Sequence, residues 1–248
     1  MERIVEICCA DVEAVIAAKK GGAERIELCS GLAEGGVTPS LALIRAAVEI
    51  GIPEVNVLIR PRPGDFLYTK AEIRLMEEDI QLAVDAGATG LVIGALTAEG
   101  DVDMEVCRSL IATATVCAAR AGRQRPNITF HRAFDVCSNP LKALEVIIDM
   151  GCDCLLTSGQ ESTAEDGIPM LRLLVEKAAG RIAIVAGSGV NPDNAARIIS
   201  ETGVDGVHST ARKSIKSGMT HRNEKIGFGE DRLETTADVI RVLTHNSQ

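Results

Sequence analysis

Short apolar runs alternate with longer amphipathic stretches along most of the chain, and this alternation constrains the fold more than any other feature. Each longer stretch ends near a glycine, the residue that best tolerates the left-handed conformation at a helix C-terminus. The apolar runs are IVEICC, RIELCS, VNVLIR, GLVIGA, ITFHRAF, CLLTSG, IAIVAGS and GVHST. Strands that alternate with helices form parallel sheets, and eight such units predict an α/β protein with a single (β/α)8 TIM barrel. An open, doubly wound sheet is the alternative.

We expect one barrel domain over residues 1–248. A weak repeat supports closure of the barrel, because four segments share the same spacing between a glycine and the strand that follows it. These glycines are Gly22, Gly87, Gly151 and Gly203. The spacing places Glu27 and His208 in one interior layer. Residues 212–230 are polar, and we predict that they form a long loop before the last helix, either a lid or a linker.

Composition excludes several classes of partner. The formal net charge is -9, whereas binding to a nucleic-acid backbone needs a basic surface. No apolar run approaches the roughly 18 residues of a membrane span, and the N-terminus lacks the apolar core of a signal peptide. The eight cysteines show no Cys-x-x-Cys spacing, and in the cytoplasm they would be reduced. We therefore predict a cytoplasmic protein that binds neither nucleic acid nor membrane.

Charged residues interrupt the apolar segment NITFHRAFD, which spans residues 127–135. The two-residue period of a strand would place Thr129, His131 and Ala133 on one face, with Asp135 at its end. The outer face of a barrel strand meets apolar helices. The charged face is therefore expected to point into the barrel.

Polar residues from several strands should meet in one pocket at the C-terminal end of the barrel, where this fold carries its active sites. Glu6, Glu27 and His131 are the candidate catalytic residues, because carboxylates and an imidazole can move protons. Arg60 is the candidate for binding an anion. The alternative is that these buried charges neutralise one another in a structural network.

A second candidate site is the turn Gly187-Ser188-Gly189 after the seventh strand. Glycines allow a ligand to approach the backbone, and many barrels bind phosphate at this position. Ser158 and His208 could add donors. These residues predict a small anionic ligand, including a phosphorylated metabolite, and an isomerase- or lyase-like enzyme. A plain turn between a strand and a helix is the alternative.

Cys8 and Cys29 have the same phase on neighbouring predicted strands, which lie about 4.8 Å apart in a sheet. Two thiolates at that separation can hold Cu(I), a soft cation. They cannot by themselves complete a tetrahedral zinc site. The alternative is that these cysteines, like the others, are small buried hydrophobic residues.

Several longer motifs occur in a characteristic order between residue 4 and about residue 223. They are EICC, GGAERIELCSGLAEGGVTPS, IRPRPGDFLY, TFHRAFD, LLTSGQ, AGSGV and SGMTHRN. Together they resemble the CutC family, which is named for copper homeostasis. The resemblance implies a (β/α)8 barrel, a cytoplasmic location, a homo-oligomer, and Cu(I) bound by the matching Cys8 and Cys29. A non-catalytic scaffold that acts through its oligomer is a third functional alternative.

Overall fold

The structure is a computed structural model that describes residues 3–223, 225–226 and 231–247. Within these residues, eight parallel strands close into a barrel in chain order, with β1 hydrogen-bonded to both β2 and β8. The predicted barrel is therefore confirmed, and the open sheet is excluded. The barrel strands are β1 Ile4–Cys9, β2 Arg25–Leu28, β3 Glu54–Leu58, β4 Gly90–Ile93, β5 Asn127–Phe130, β6 Cys154–Thr157, β7 Ala183–Ala186 and β8 Gly206–Ser209.

Helices surround the barrel and begin and end at residues suited to those positions. Thr69 and Glu72 form a reciprocal capping box at the start of the third helix, and Gly87 ends it with φ +109°. The helices are α1 Val12–Gly21, α2 Leu41–Ile50, α3 Lys70–Ala86, α4 Met104–Arg120, α5 Pro140–Asp149, α6 Ile168–Ala178, α7 Ala195–Thr202 and α8 Ala237–Asn246. Among the described residues, no helix is long and apolar enough to cross a membrane.

The two faces of β1 have different environments, as the two-residue period predicts. Ile7 and Cys9 pack in the large apolar layer between the barrel and its helices. Cys8 packs inside the barrel in a small cluster with Cys29 and Leu58. Adjacent cysteines of one strand therefore lie on opposite sides of the barrel wall.

The fifth strand is shorter than the sequence predicts. It ends at Phe130, and residues Arg132–Val136 form a 3-10 helix. His131 is the N-terminal cap of that helix rather than a strand residue. The prediction that His131 and Ala133 share a strand face with Thr129 is therefore wrong, because the chain turns at His131.

The segment after the eighth strand is only partly a loop. Arg212–Ile215 forms β9, which pairs antiparallel with β10, Arg232–Thr235. The loop predicted at about 212–230 thus begins with a strand. Residues 224 and 227–230 of that prediction lie outside the described residues.

Closure of the barrel depends on a glycine at the contact between β8 and β1. Gly206 lies opposite Ile4, and a Cβ atom at Gly206 would collide with the carbonyl oxygen and the Cβ of Ile4. We expect Gly206→Ala to lower the free energy of unfolding by about 1–3 kcal/mol, because the strand backbones must separate. Urea unfolding measures this loss. Gly218→Ala is the control, since a Cβ there meets open space; equal stability of the two variants would contradict the assignment.

Candidate functional site

A pocket of about 340 Å³ opens at the C-terminal ends of the barrel strands. Its wall combines apolar side chains, such as Leu58 and Leu156, with several ionisable groups. Seven of the residues singled out in the sequence line it: Cys8, Glu27, Arg60, His131, Ser188, Gly189 and His208. Four others do not line it: Glu6, Cys29, Ser158 and Gly187.

A pair of buried thiols lies at the floor of the pocket, with Cys8 in the pocket wall and Cys29 next to it outside the wall. The Sγ atoms of Cys8 and Cys29 are 3.7 Å apart, and the Cys8 Sγ lies 3.8 Å from Glu27 Oε1. Both cysteines are almost completely buried. The hydrogen bond with Cys29 and then burial raise the pKa of Cys8 well above its usual value. Cys8 is therefore a protonated thiol when nothing is bound.

Glu6 lies beneath the pocket at the centre of a charged network. Its Oε2 accepts hydrogen bonds from Arg25 Nε at 2.7 Å and Asn56 Nδ2 at 2.9 Å, and its Oε1 lies 2.8 Å from His208 Nδ1. Burial raises the pKa of Glu6, but the hydrogen bond with His208 and the charge of Arg25 outweigh burial and lower it to about 2. Glu6 is therefore ionised, and it orients His208 rather than facing the pocket.

Glu27 and His208 face each other across the pocket floor. Burial raises the pKa of Glu27, and the nearby charge of His208 only partly opposes that effect. For His208, burial lowers the pKa, but the charge of Glu27 and the hydrogen bond with Glu6 raise it overall. One oxygen or nitrogen from each of Glu6, Glu27 and His208 lies within 4.8 Å of the others. The floor therefore offers both thiols and hard oxygen and nitrogen donors.

The position of His131 is determined by its cap and by its aromatic neighbour. Its Nδ1 accepts a hydrogen bond from the Ala133 N–H at 3.1 Å, and its ring centroid lies 5.0 Å from that of Phe66. Gly94 makes room for the ring, since a Cβ there would lie 2.5 Å from His131 Cε1. Burial and the charge of Arg60 lower the pKa of His131 to about 3. The imidazole is therefore neutral at physiological pH.

Arg60 uses most of its guanidinium to hold loops in place. Its Nη1 donates to the carbonyl oxygens of Gly36 at 2.7 Å and Glu34 at 3.2 Å, and its Nη2 donates to that of Gly64 at 2.8 Å. All three acceptors are backbone carbonyls. In the part of the chain that the structure describes, dipoles rather than a carboxylate thus compensate the charge of Arg60.

Asp135 organises the loop after β6, and this explains why a carboxylate follows the fifth strand. It accepts hydrogen bonds from Arg132 Nε at 2.7 Å, Thr157 Oγ1 at 2.5 Å and Ser158 N at 3.0 Å. The Ser158 hydroxyl donates to the carbonyl of Glu161 and accepts from Arg132 Nη2. Ser158, predicted as a ligand-binding residue, is fully buried and lies outside the pocket wall. The hydrogen bonds of Ser158 with Asp135, Arg132 and Glu161 stabilise the loop after β6.

The turn after β7 contributes only part of its predicted surface to the pocket. Gly187 continues the sheet, donating its N–H to the Thr157 carbonyl at 2.9 Å, and it is outside the pocket wall. Ser188 and Gly189 line the pocket, with φ values of +80° and +72°. The Ser188 hydroxyl donates to the carbonyl of Ser162 at 2.8 Å. These two hydrogen bonds therefore fix the conformation of the turn.

Sequence reasoning did not assign two charged residues that the site uses. Arg25, the partner of Glu6, is two residues from Glu27 on the same strand, so the period of β2 was a signal that it points inward. Arg132 lines the pocket, and it can do so because the strand ends before it.

The fold and the pocket define a class of protein: a (β/α)8 barrel with a buried thiol pair and ionisable groups at its C-terminal mouth. The model of the CutC family matches residues 3–213, and the chain belongs to that family. The family protein CutC of Bacteroides thetaiotaomicron is 48% identical over 225 residues, which cover 90% of this chain and 87% of that protein.

One further relative and two solved structures were also compared with this chain. The human copper homeostasis protein cutC homolog is 44% identical over 251 residues, covering 98% of this chain and 88% of that protein. A crystal structure of a CutC protein from Streptococcus agalactiae superposes with a TM-score of 0.76 at 35% identity, covering 84% of this chain and 98% of that one. N-(5'-phosphoribosyl)anthranilate isomerase from Pyrococcus furiosus shares only the fold, with a TM-score of 0.56 at 14% identity over 99% of this chain and 98% of that one.

Proposed function

We propose that this chain takes part in copper homeostasis by binding Cu(I) as its cargo between Cys8 and Cys29. The observation that carries the proposal is the 3.7 Å separation of the two sulfurs at the pocket floor. Thiolates select soft cations such as Cu(I). Family membership and the name of the human relative support the same function.

The spacing of the sulfurs favours a bent coordination. With metal–sulfur bonds of about 2.3 Å, sulfurs 3.7 Å apart subtend an angle of roughly 107° at the metal. A linear arrangement would need a separation of about 4.6 Å with such bonds. A bent pair leaves room for a third donor, and Glu27 Oε1 already lies 3.8 Å from the Cys8 sulfur. Copper binding would release thiol protons, because the thiolate is the ligand.

A reducing compartment suits this site. All eight cysteines are free thiols in the structure. Free, buried thiols are typical of cytoplasmic proteins, and they support our proposal that the protein is cytoplasmic. The predicted homo-oligomer stays a prediction.

The assignment of proton transfer to Glu6, Glu27 and His131 also stays a prediction, and the geometry restricts it. Glu27 and His131 line the pocket, whereas Glu6 lies beneath it and contacts Arg25, Asn56 and His208. A role for Glu6 as the group that positions His208 fits these contacts better than direct contact with a substrate.

The copper site is tested by anaerobic Cu(I) titration against a competing chromogenic chelator. We expect Cys8→Ser/Cys29→Ser to bind Cu(I) at least about a hundredfold more weakly than the parent, because loss of outer-shell contacts alone costs about 10–100-fold. Titration with Zn(II) should give weaker binding, since the pair does not supply a complete tetrahedral set.

Cys9→Ala provides a matched control for this titration. Cys9 is adjacent in sequence, but its side chain lies in the apolar layer outside the barrel. Its affinity for Cu(I) should equal that of the parent. Undiminished binding by the double serine variant would show that the Cys8–Cys29 assignment is wrong, and Zn(II) binding as tight as Cu(I) binding would contradict the selectivity for Cu(I).

A further inference from the structure

Two buried N–H donors beside the pocket have no acceptor. Among the described residues, neither His131 Nε2 nor Arg60 Nε has a hydrogen-bond partner. Both residues line the pocket, and both are about nine-tenths or more buried. A buried donor without an acceptor costs stability that native structures rarely give up without a reason. This pair of atoms therefore indicates a missing acceptor.

The proton of His131 is located by its other nitrogen. Nδ1 accepts the hydrogen bond from the Ala133 N–H, so the single proton of the neutral imidazole is on Nε2. His131 thus presents a donor and not an acceptor. Arg60 Nε is always a donor, because the guanidinium stays protonated. Both atoms would be satisfied by an oxygen that carries lone pairs.

The charge of the pocket wall favours an anionic oxygen. The guanidinium of Arg60 donates to the carbonyl oxygens of Gly36 and Gly64, and that of Arg132 lies at the pocket wall paired with Asp135. The two guanidinium groups in the wall outnumber the carboxylate of Glu27 there. A buried cation normally has an anionic partner. A bound oxyanion would be the anionic partner of Arg60 and would accept hydrogen bonds from both His131 Nε2 and Arg60 Nε.

Phe66 packs against both side chains that carry these donors. Its ring centroid lies 5.0 Å from the imidazole centroid of His131 and 5.0 Å from the guanidinium carbon of Arg60. Phe66 is itself half-buried in the pocket wall. The wall also includes the apolar side chains of Leu58 and Leu156, which would contact the organic part of a ligand.

We propose that the mouth pocket binds a small organic molecule through a carboxylate or phosphate group that accepts hydrogen bonds from His131 Nε2 and Arg60 Nε. The volume of about 340 Å³ is at the small end of the range for ligand sites, roughly 300–1,000 Å³. The donor atoms of this site, His131 Nε2 and Arg60 Nε, are different from the two sulfurs at the floor of the same pocket. Anion binding therefore does not depend on copper binding.

Isothermal titration calorimetry on the copper-free, reduced protein tests the proposal with matched probes. Glycerol 3-phosphate is compared with glycerol, and lactate with lactamide, so that each anion has an uncharged counterpart and the two anionic groups are distinguished. Inorganic phosphate shows whether the oxyanion suffices without an organic part. We expect saturable binding of at least one organic anion, stronger than that of inorganic phosphate, and no binding of its uncharged counterpart.

Two variants locate the bound anion. His131→Asn keeps an acceptor near the position of Nδ1 and removes the Nε2 donor, so it should weaken binding about tenfold or more. Arg132→Gln changes a side chain that is 43% exposed, and it should weaken binding by removing a positive charge from the pocket wall. Circular dichroism and thermal unfolding verify the fold of each variant.

The outcomes separate this proposal from copper binding. Cys8→Ser/Cys29→Ser should bind the anion as the parent does, and His131→Asn should still bind Cu(I). The proposal is overturned if no anion binds, if anions bind no better than their uncharged counterparts, or if both His131→Asn and Arg132→Gln bind as tightly as the parent.

Discussion

Replacing Glu6 by Gln is expected to lower the free energy of unfolding by about 3–5 kcal/mol at neutral pH, because it leaves the buried Arg25 guanidinium without its main counter-ion. The Glu6 and Arg25 side chains are only 1% and 11% exposed. The other carboxylate near Arg25, that of Glu54, is 3.7 Å away and 44% exposed. Chemical denaturation of the parent and the variant measures the loss.

The same pair predicts a pH dependence. The pKa of Glu6 is lowered from 4.5 to about 2 in the folded chain, so its contribution is complete above pH 4.5 and is lost as the pH falls towards 2. The difference in stability between the parent and Glu6→Gln should therefore narrow over that interval. Glu145→Gln removes an exposed ion pair with Arg181 and should cost no more than about 1 kcal/mol. A Glu6→Gln variant as stable as Glu145→Gln would contradict the role of Glu6.

Asp135→Ala is the second substitution for which we expect a large effect, a loss of about 3–5 kcal/mol. The buried Thr157 hydroxyl and Ser158 N–H lose their acceptor, as do the more exposed donors of Arg132 and Gln160, and each buried unsatisfied donor costs about 1–3 kcal/mol. The loss is read from urea unfolding curves. Because Arg132 also loses its ion pair with Asp135, the affinity of the pocket for an anion should change in the same variant.

Asp101 offers a matched control for Asp135. It also pairs with a basic side chain, Lys142, at 2.8 Å, but both side chains are largely exposed. Asp101→Ala should therefore change the stability by less than about 1 kcal/mol. If Asp135→Ala lowers the free energy of unfolding no more than Asp101→Ala does, contacts other than the Asp135 carboxylate must stabilise the loop after β6.

The barrel could be predicted from the sequence because its signals are local. Apolar runs of strand length, glycine stops and the period of two each depend on a few neighbouring residues. The same period placed Cys8 and Cys29 side by side, since β1 and β2 are consecutive and adjacent. Where consecutive strands pair in register, sequence reasoning extends directly to the site.

The loops of the site could not be predicted in the same way. β5 ends at Phe130 because His131 caps the following 3-10 helix, and that cap depends on tertiary contacts with Phe66 and on the space left by Gly94. Arg60 was expected to bind an anion, and this stays a prediction. Its three hydrogen bonds to carbonyls of neighbouring loops could not be predicted, because the local sequence does not specify the conformation of those loops.

The order in which the chain is synthesised affects the two parts of the pocket floor differently. Cys8 and Cys29 are 21 residues apart, whereas Glu6 and His208 are 202 residues apart. A nascent chain therefore contains both thiols as soon as its second strand has left the ribosome. The imidazole of His208 joins Glu6 only when the eighth strand pairs with the first, so the charged network is complete only in the finished barrel.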